Sequence, residues 1–176
     1  MNLEEASEFG DFDRVKLLLE SGVLPETTEE GLDTPLICAS SKGHVKIVKL
    51  LLDYGADVDS FGNNCETSLI DASHWGHTSV VKLLLKHDPD VDAADGNGVT
   101  ALMTTNYEHH PTIAKMLLDD GAWVNQVDDY GDTALSHACQ EGCLENVKIL
   151  LAHGADPDIV GFERLRQIGQ IHAEGR

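Results

Sequence analysis

From Thr34 to Asp59 the chain reads TPLICASSKGHVKIVKLLLDYGADVD, and one step of 33 residues later, from Thr67 to Asp92, it reads TSLIDASHWGHTSVVKLLLKHDPDVD. Two further copies keep the register: TALMTTNYEHHPTIAKMLLDDGAWVN from Thr100 to Asn125, and TALSHACQEGCLENVKILLAHGADPD from Thr133 to Asp158. The same step links Gly10, Gly43, Gly76 and Gly142; Val15, Val48, Val81 and Val147; and Leu18, Leu51, Leu84 and Leu117. A fixed period in the range of about 20–50 residues identifies an array of small stacked units and outranks any local secondary-structure reading.

Each unit can be built from its residues. The threonine precedes an apolar helical pattern, where its hydroxyl can accept a hydrogen bond from a free N–H of the first turn, and Pro35 stands at a first helical position. Gly43, Gly76 and Gly142 then end a short inner helix of about eight residues where a positive φ is required, and a VKIVKLLL-like run forms an outer helix. Gly55, Gly121 and Gly154 stop the outer helix. The following stretch, such as residues 56–64, carries the Gly, Asn and Asp of an extended hairpin finger.

Neither helix is long enough to be stable alone in water, so each pair must bury its flanks against its neighbours. The expected organisation is one domain over 1–176: an N-terminal capping helix pair at 1–27, repeats at 28–60, 61–93, 94–126 and 127–159, and a partial repeat or tail at 160–176. In the last segment Ile168 and Ile171 fall one period after Leu135 and Ala138, with no outer helix to follow. That leaves two readings, a chain that continues beyond this point or a lone helix that lids the stack. Glu4, Glu5, Glu8, Asp11 and Asp13 are expected to give the first pair its polar outer cover.

These four blocks resemble the ankyrin repeat family, over about residues 28–158. The resemblance implies an all-α solenoid of helix-turn-helix pairs joined by β-hairpin fingers, and a non-enzymatic scaffold that docks partner proteins in a groove between finger tips and inner helices. Carried over position by position, the implied contacts are Glu30 and Asp33 on one finger, Asn63 and Glu66 on the next, then Asn97 and Val99, then Asp129, Tyr130 and Asp132. On the inner helices they are Ser41, Lys42, His74, Trp75, Tyr107, Glu108, Gln140 and Glu141. The resemblance also implies that Asn125, and Asp59 at the same position, match the finger site modified by asparaginyl hydroxylases.

Departures from the pattern are informative. His109 replaces the helix-ending glycine, Thr105 a packing alanine and Ala114 the outer-helix valine, which marks the unit around 95–125 as the softest. Asp88 likewise replaces a glycine at an expected positive φ. The family's usual histidine gives way to Ile37, Ile70, Met103 and Ser136, so a polar cross-link between fingers is expected to be lost and replaced by apolar contact.

Composition narrows the function. Thirty-one acidic residues against 12 basic give a net charge of −19, which repels a phosphate backbone, so nucleic acid is not an expected partner. No apolar run approaches the roughly 20 residues of a spanning helix, and the acidic N-terminus lacks the basic region of a signal peptide. An intracellular protein of cytoplasm or nucleus is expected, with its four cysteines reduced. Five lysines, Lys16, Lys49, Lys82, Lys115 and Lys148, share one outer-helix position, while carboxylates including Asp128 gather in the fingers, which predicts two electrically different faces.

Chemistry-bearing clusters are few. His109, His110, His137 and Cys139 form the best metal candidate, but adjacent histidines point apart and no pair has same-face zinc spacing. The pairs Asp57 with Asp59, Asp90 with Asp92 and Asp128 with Asp129 sit at repeat positions and are read as structural or binding groups. No nucleophile elbow or phosphate-cradling loop is present. The expectation is therefore a monomeric scaffold without cofactor, catalytic residue or metal, capturing a Lys- or Arg-containing segment of another protein. Trp75, Tyr107 and Tyr130 would be its anchors within an acidic groove. The competing expectation is an adaptor domain that recruits substrates for a longer enzyme or effector.

Overall fold

The computed structural model describes residues 1–26 and 33–159; Glu30 and the partial unit 160–176 lie outside the described residues. Among the described residues ten α-helices follow one another in pairs: α1 (Leu3–Phe9) with α2 (Phe12–Glu20), α3 (Pro35–Ser41) with α4 (Val45–Asp53), and α5 (Ser68–His74) with α6 (Thr78–Leu84). The last two pairs are α7 (Ala101–Thr104) with α8 (Pro111–Asp119), and α9 (Ala134–Gln140) with α10 (Leu144–Ala152). Odd-numbered helices pack on one another in an inner row, and even-numbered helices in an outer row. The result is a helical repeat solenoid.

The threonines cap as their position requires. Thr34, Thr67, Thr100 and Thr133 accept the N–H of Ile37, Ile70, Met103 and Ser136 at 3.3, 3.3, 3.5 and 3.2 Å. All four threonines are buried, so each cap works where water cannot replace it. The first pair is capped differently: Asn2 and Glu5 form a reciprocal capping box on α1, and Asp11 caps α2. Two of the acids read as polar cover thus also satisfy helix termini.

The core is a slab of repeated contacts. Leu36, Leu69, Leu102 and Leu135 from the inner row and Leu51, Leu84 and Leu117 from the outer row are all buried, with Val15, Val48, Val81 and Ala114 between them. Apolar burial of this kind supplies the main driving force, about 25 cal/mol per Å².

A ladder of polar contacts sets the spacing between layers. Glu26, Asp59, Asp92 and Asn125 share one repeat position, and each side-chain oxygen accepts a backbone N–H from the next layer. The donors are Asp57, Asp90, Trp123 and Asp156, at 2.9, 2.9, 2.8 and 2.8 Å. Asp57 and Asp90 in turn accept the N–H of Asp59 and Asp92, at 3.1 Å each. The pairs Asp57 with Asp59 and Asp90 with Asp92 are therefore structural clasps. Histidines form a second ladder: His44, His77 and His110 donate from Nε2 to the carbonyls of Glu8, Ser41 and His74 at 3.0, 3.0 and 3.2 Å.

Each finger between described layers folds back on one antiparallel bridge, Phe61 with Thr67, Ala94 with Thr100 and Val127 with Thr133. The N–H groups of Gly62, Asp95 and Asp128 bond the carbonyls of Glu66, Val99 and Asp132 across the same turns. Two expectations need correction. The fourth layer does contain a polar cross-link, because His137 Nε2 lies 2.9 Å from Asp128 Oδ2 with both residues buried. Asp128 is consequently not one of the exposed finger acids.

The third layer departs as its sequence suggests. Helix α7 spans four residues where its counterparts span seven, and His109 takes a φ of 62° at the glycine position. A polar network compensates: buried Asn106 donates to the carbonyls of Met103 and Ala134, and buried Asn146 donates to Asn106 Oδ1 at 2.8 Å and to the Thr105 carbonyl at 3.1 Å.

Candidate functional site

The fingers are held in line before they can form a wall. Asp95 Oδ1 accepts the N–H of Asn97 and Val99, and Asp128 Oδ1 that of Tyr130 and Asp132, so one carboxylate folds each tip. Adjacent tips are joined through Asn63 N–H to Asp33 Oδ1 at 2.8 Å, Gly96 N–H to the Asn64 carbonyl at 2.8 Å, and Asp129 N–H to the Asn97 carbonyl at 3.0 Å.

Between this wall and the inner helices runs an open cleft of about 600 Å³. It crosses all four capped layers: Asp33, Ser41 and Lys42; Glu66, Ile70, Asp71, His74 and Trp75; Asp95, Asn97, Val99, Thr104 and Tyr107; and Asp128, Tyr130 and His137. Of the sequence-predicted contacts, Asp33, Ser41, Lys42, Glu66, His74, Trp75, Asn97, Val99, Tyr107 and Tyr130 line it.

The others lie elsewhere. Asn63 is exposed and serves the Asp33 tip contact, and Asp129 is exposed and joined to the Asn97 carbonyl. Asp132 accepts from Gln140 Nε2 at 3.2 Å, which holds that pair together beside the cleft. Glu108 and Glu141 are exposed next to the inner-helix ends and are not among the lining residues.

Sequence reasoning missed the floor. Asp71, Thr104 and His137 each stand four residues after a capping threonine, and that position turns toward the fingers; Cys38 holds it in the first capped layer. The signal was available as a column of polar residues inside an otherwise apolar inner-helix pattern.

Rings form a chain along the cleft. His74 meets Trp75 edge-on with centroids 4.8 Å apart and Tyr107 at 5.8 Å, and Tyr107 meets His137 at 5.6 Å. Trp75 is 51% exposed and Tyr107 38%, so both keep large aromatic surface available. Tyr130 stands out further on its finger, 72% exposed.

The cleft is strongly negative. Burial, then Asp33 and Asp95, raises the carboxyl of Glu66 above its usual range, against a hydrogen bond from Asn64. Burial, then Glu66 and Asp33, pushes Asp71 up to about 7, and Lys42 opposes the rise. Burial followed by Asp128, Asp95, Glu141 and Asp132 raises Tyr107. The thiol of Cys38 is pushed up to about 12 by burial and by Asp33, Glu8 and Glu4. Among the described residues Lys42 is the one lysine or arginine in the lining, and it lies 3.6 Å from Glu8.

Outer-helix lysines Lys16, Lys49, Lys82, Lys115 and Lys148 are all exposed on the even-numbered helices. The candidate metal residues are dispersed among other tasks. His110 donates to the His74 carbonyl, His137 is paired with Asp128, and Cys139 is exposed whereas Cys143 is buried. Among the described residues no group of three or more His, Cys, Asp or Glu side chains is placed to hold a metal ion. Nor is any helix among them long and apolar enough to cross a membrane.

Stacked helix pairs with a continuous side cleft define a repeat scaffold of the protein-interaction class. The family model described as ankyrin repeats, in three copies, matches residues 3–95 and 88–160, and the chain belongs to the ankyrin repeat family. Ankyrin repeats serve generally as protein–protein interaction modules. The comparison with curated proteins finds no match.

Proposed function

We propose that this chain is a docking scaffold whose cleft takes a Lys- or Arg-bearing segment of another protein. The single observation that carries the reading is the composition of one uninterrupted cleft. Asp33, Glu66, Asp71, Asp95 and Asp128 line it with the exposed rings of Trp75, Tyr107 and Tyr130, against Lys42 as the one lysine or arginine among the described lining residues.

Aromatic surface that is half open in the free protein is the kind that anchors a partner once water is excluded around it. Cations are drawn to ring faces and to carboxylates alike, so a lysine or arginine flanked by apolar residues satisfies both features at once. The acidic wall raises the rate of encounter with a basic segment and sets its register. Rigid tips and buried caps mean that the surface is formed before the guest arrives, which lowers the ordering cost of binding.

Peptide arrays that vary net charge and apolar content test this reading. Basic segments with apolar neighbours should be retained by the wild type. Retention should fall at least tenfold in Trp75→Ala/Tyr107→Ala, about 1.4 kcal/mol or more, while Lys49→Ala/Lys82→Ala on the outer row behaves as wild type. Selection of acidic peptides, or equal retention by the aromatic double variant, would overturn it.

A further inference from the structure

We infer that the cleft takes up its cationic guest in exchange for a proton, and that Asp71 is the carboxyl group that gives the proton up. This inference rests on the docking reading above and assigns a regulatory property to the same site.

Asp71 occupies the floor column four residues after the capping threonine, where the other capped layers carry Cys38, Thr104 and His137, so it is the one acid in that column. It lies in the lining between Ile70 and His74, partly buried. Among the described residues no hydrogen-bond donor is set against its carboxyl group.

The groups around it come from every neighbouring element. The fingers contribute Glu66 and Asp33, and Asp95 beyond them acts on Glu66. The end of α3 contributes Lys42, the one cation that opposes their effect, already shared with Glu8. From α3 comes also Cys38, whose thiol stays protonated; from the layer of α7 come Thr104 and Tyr107; and His74 stands one turn along α5 itself. Helix α6 packs on α5 as well, but its cap His77 is engaged with the Ser41 carbonyl and its Lys82 is exposed.

Carboxyl groups that line one cleft, with Asp71 partly buried among them, disfavour each other's charged forms, and a cation placed among them reverses that preference. In the free protein the counter-ion at Asp71 is a proton, held until about pH 7. A guanidinium or ammonium group entering between Asp71 and Glu66 supplies the same positive charge. The O–H bond of Asp71 then breaks, the proton passes to the buffer, and the carboxylate keeps the electron pair and faces the guest.

The sign follows from linkage. Because the bound form holds fewer protons, affinity rises with pH up to the free-state midpoint and is flat above it, a gain of about fivefold or more between pH 5.5 and 7.5.

The probe is a capped pentapeptide with one central arginine and glycine and leucine elsewhere, titrated into the full chain. Carboxyl-carbon NMR should show the Asp71 midpoint falling by at least one pH unit at saturation. Calorimetry near pH 7 in buffers of different ionisation heat should show proton release on saturation of the wild type, and no release in Asp71→Asn titrated to saturation at whatever peptide concentration that variant needs. If Trp75 and Tyr107 signals shift with peptide while the Asp71 midpoint stays in place, the proton exchange is wrong and the docking site stands. A pH dependence that survives Asp71→Asn and disappears in His74→Gln also overturns the assignment. If the peptide moves neither Trp75 nor Tyr107 at any pH, the docking reading itself fails and takes this inference with it.

Discussion

The imidazole of His110 lies against the α-carbon of Gly76, so close that a Cβ at position 76 would overlap its Cε1 atom. The same contact joins His44 to Gly10 and His77 to Gly43, and in each case the glycine also holds a positive φ. One residue type therefore meets two demands, a left-handed helix end and room for the ring of the next layer. Ala at Gly43 or Gly76 should cost the left-handed penalty of about 1–2 kcal/mol plus the displacement of a buried-edge histidine. Ala at Gly55 or Gly121, where φ is 88° and 101° but nothing stands within 4 Å, should cost the conformational part alone. Urea denaturation of the four variants checks this, and equal losses would show that the histidine contact has no energetic weight.

In the layer of α7 the same relationship is inverted. His109 brings a side chain to the glycine position, and Cys143 replaces the histidine that would have covered it, with its thiol donating to the Asn106 carbonyl at 2.9 Å. His109→Gly should stabilise the protein by about 1 kcal/mol by relieving the left-handed strain. Cys143→His alone should destabilise it, and the double variant should recover at least part of the loss. A double-mutant cycle reads the coupling directly, with additivity as the contrary result.

Cys65 poses a simpler case. It has a φ of 59° at the position where later fingers have Gly98 and Gly131, both at 78°. Cys65→Gly should raise stability by about 1 kcal/mol, measurable as a higher denaturation midpoint with an unchanged slope.

The interlayer clasp separates charge from geometry. Asp92 accepts the N–H of Trp123 just as Asn125 accepts that of Asp156, so an amide oxygen suffices. Asp92→Asn should be close to neutral, while Asp92→Ala should lose about 0.5–1.5 kcal/mol. Thermal melts of the two variants decide, and comparable losses would mean that the negative charge matters after all.

Asp71 also carries a stability signature. Its carboxyl group is pushed up to about 7 in the folded chain, above the ordinary range of an aspartate, so folding favours the protonated form. The stabilising contribution is full below about pH 4 and is lost as pH rises through 7. Asp71→Asn should therefore melt higher than wild type at pH 8, with the difference shrinking toward pH 4. A wild-type advantage at pH 8 would show that the ionised carboxylate is well solvated or paired.

Much of this was legible in the sequence because the repeat states each requirement several times. Thr34, Thr67, Thr100 and Thr133 announce the caps, and Gly43, Gly76 and Gly142 announce left-handed helix ends. What stayed hidden depends on which way a side chain turns. Asp71, Thr104 and His137 face the cleft because of helix phase relative to the fingers, whereas Asp129 and Asp132, at the finger tip itself, do not line it. Asp128 could not be distinguished from its exposed neighbour Asp129 until the position of His137, nine residues on, was known. The Asn106–Asn146 pair spans two layers and has no repeat counterpart to reveal it.

The measurement that addresses the docking claim most directly is the position of a bound basic segment, mapped by intermolecular NMR contacts between labelled protein and unlabelled peptide. Contacts should run from the Asp33 tip past Asp71, Trp75 and Tyr107 to Tyr130, with basic side chains beside Glu66 and Asp71. Contacts concentrated on the outer row, around Lys49, Lys82 and Lys115, would contradict the account.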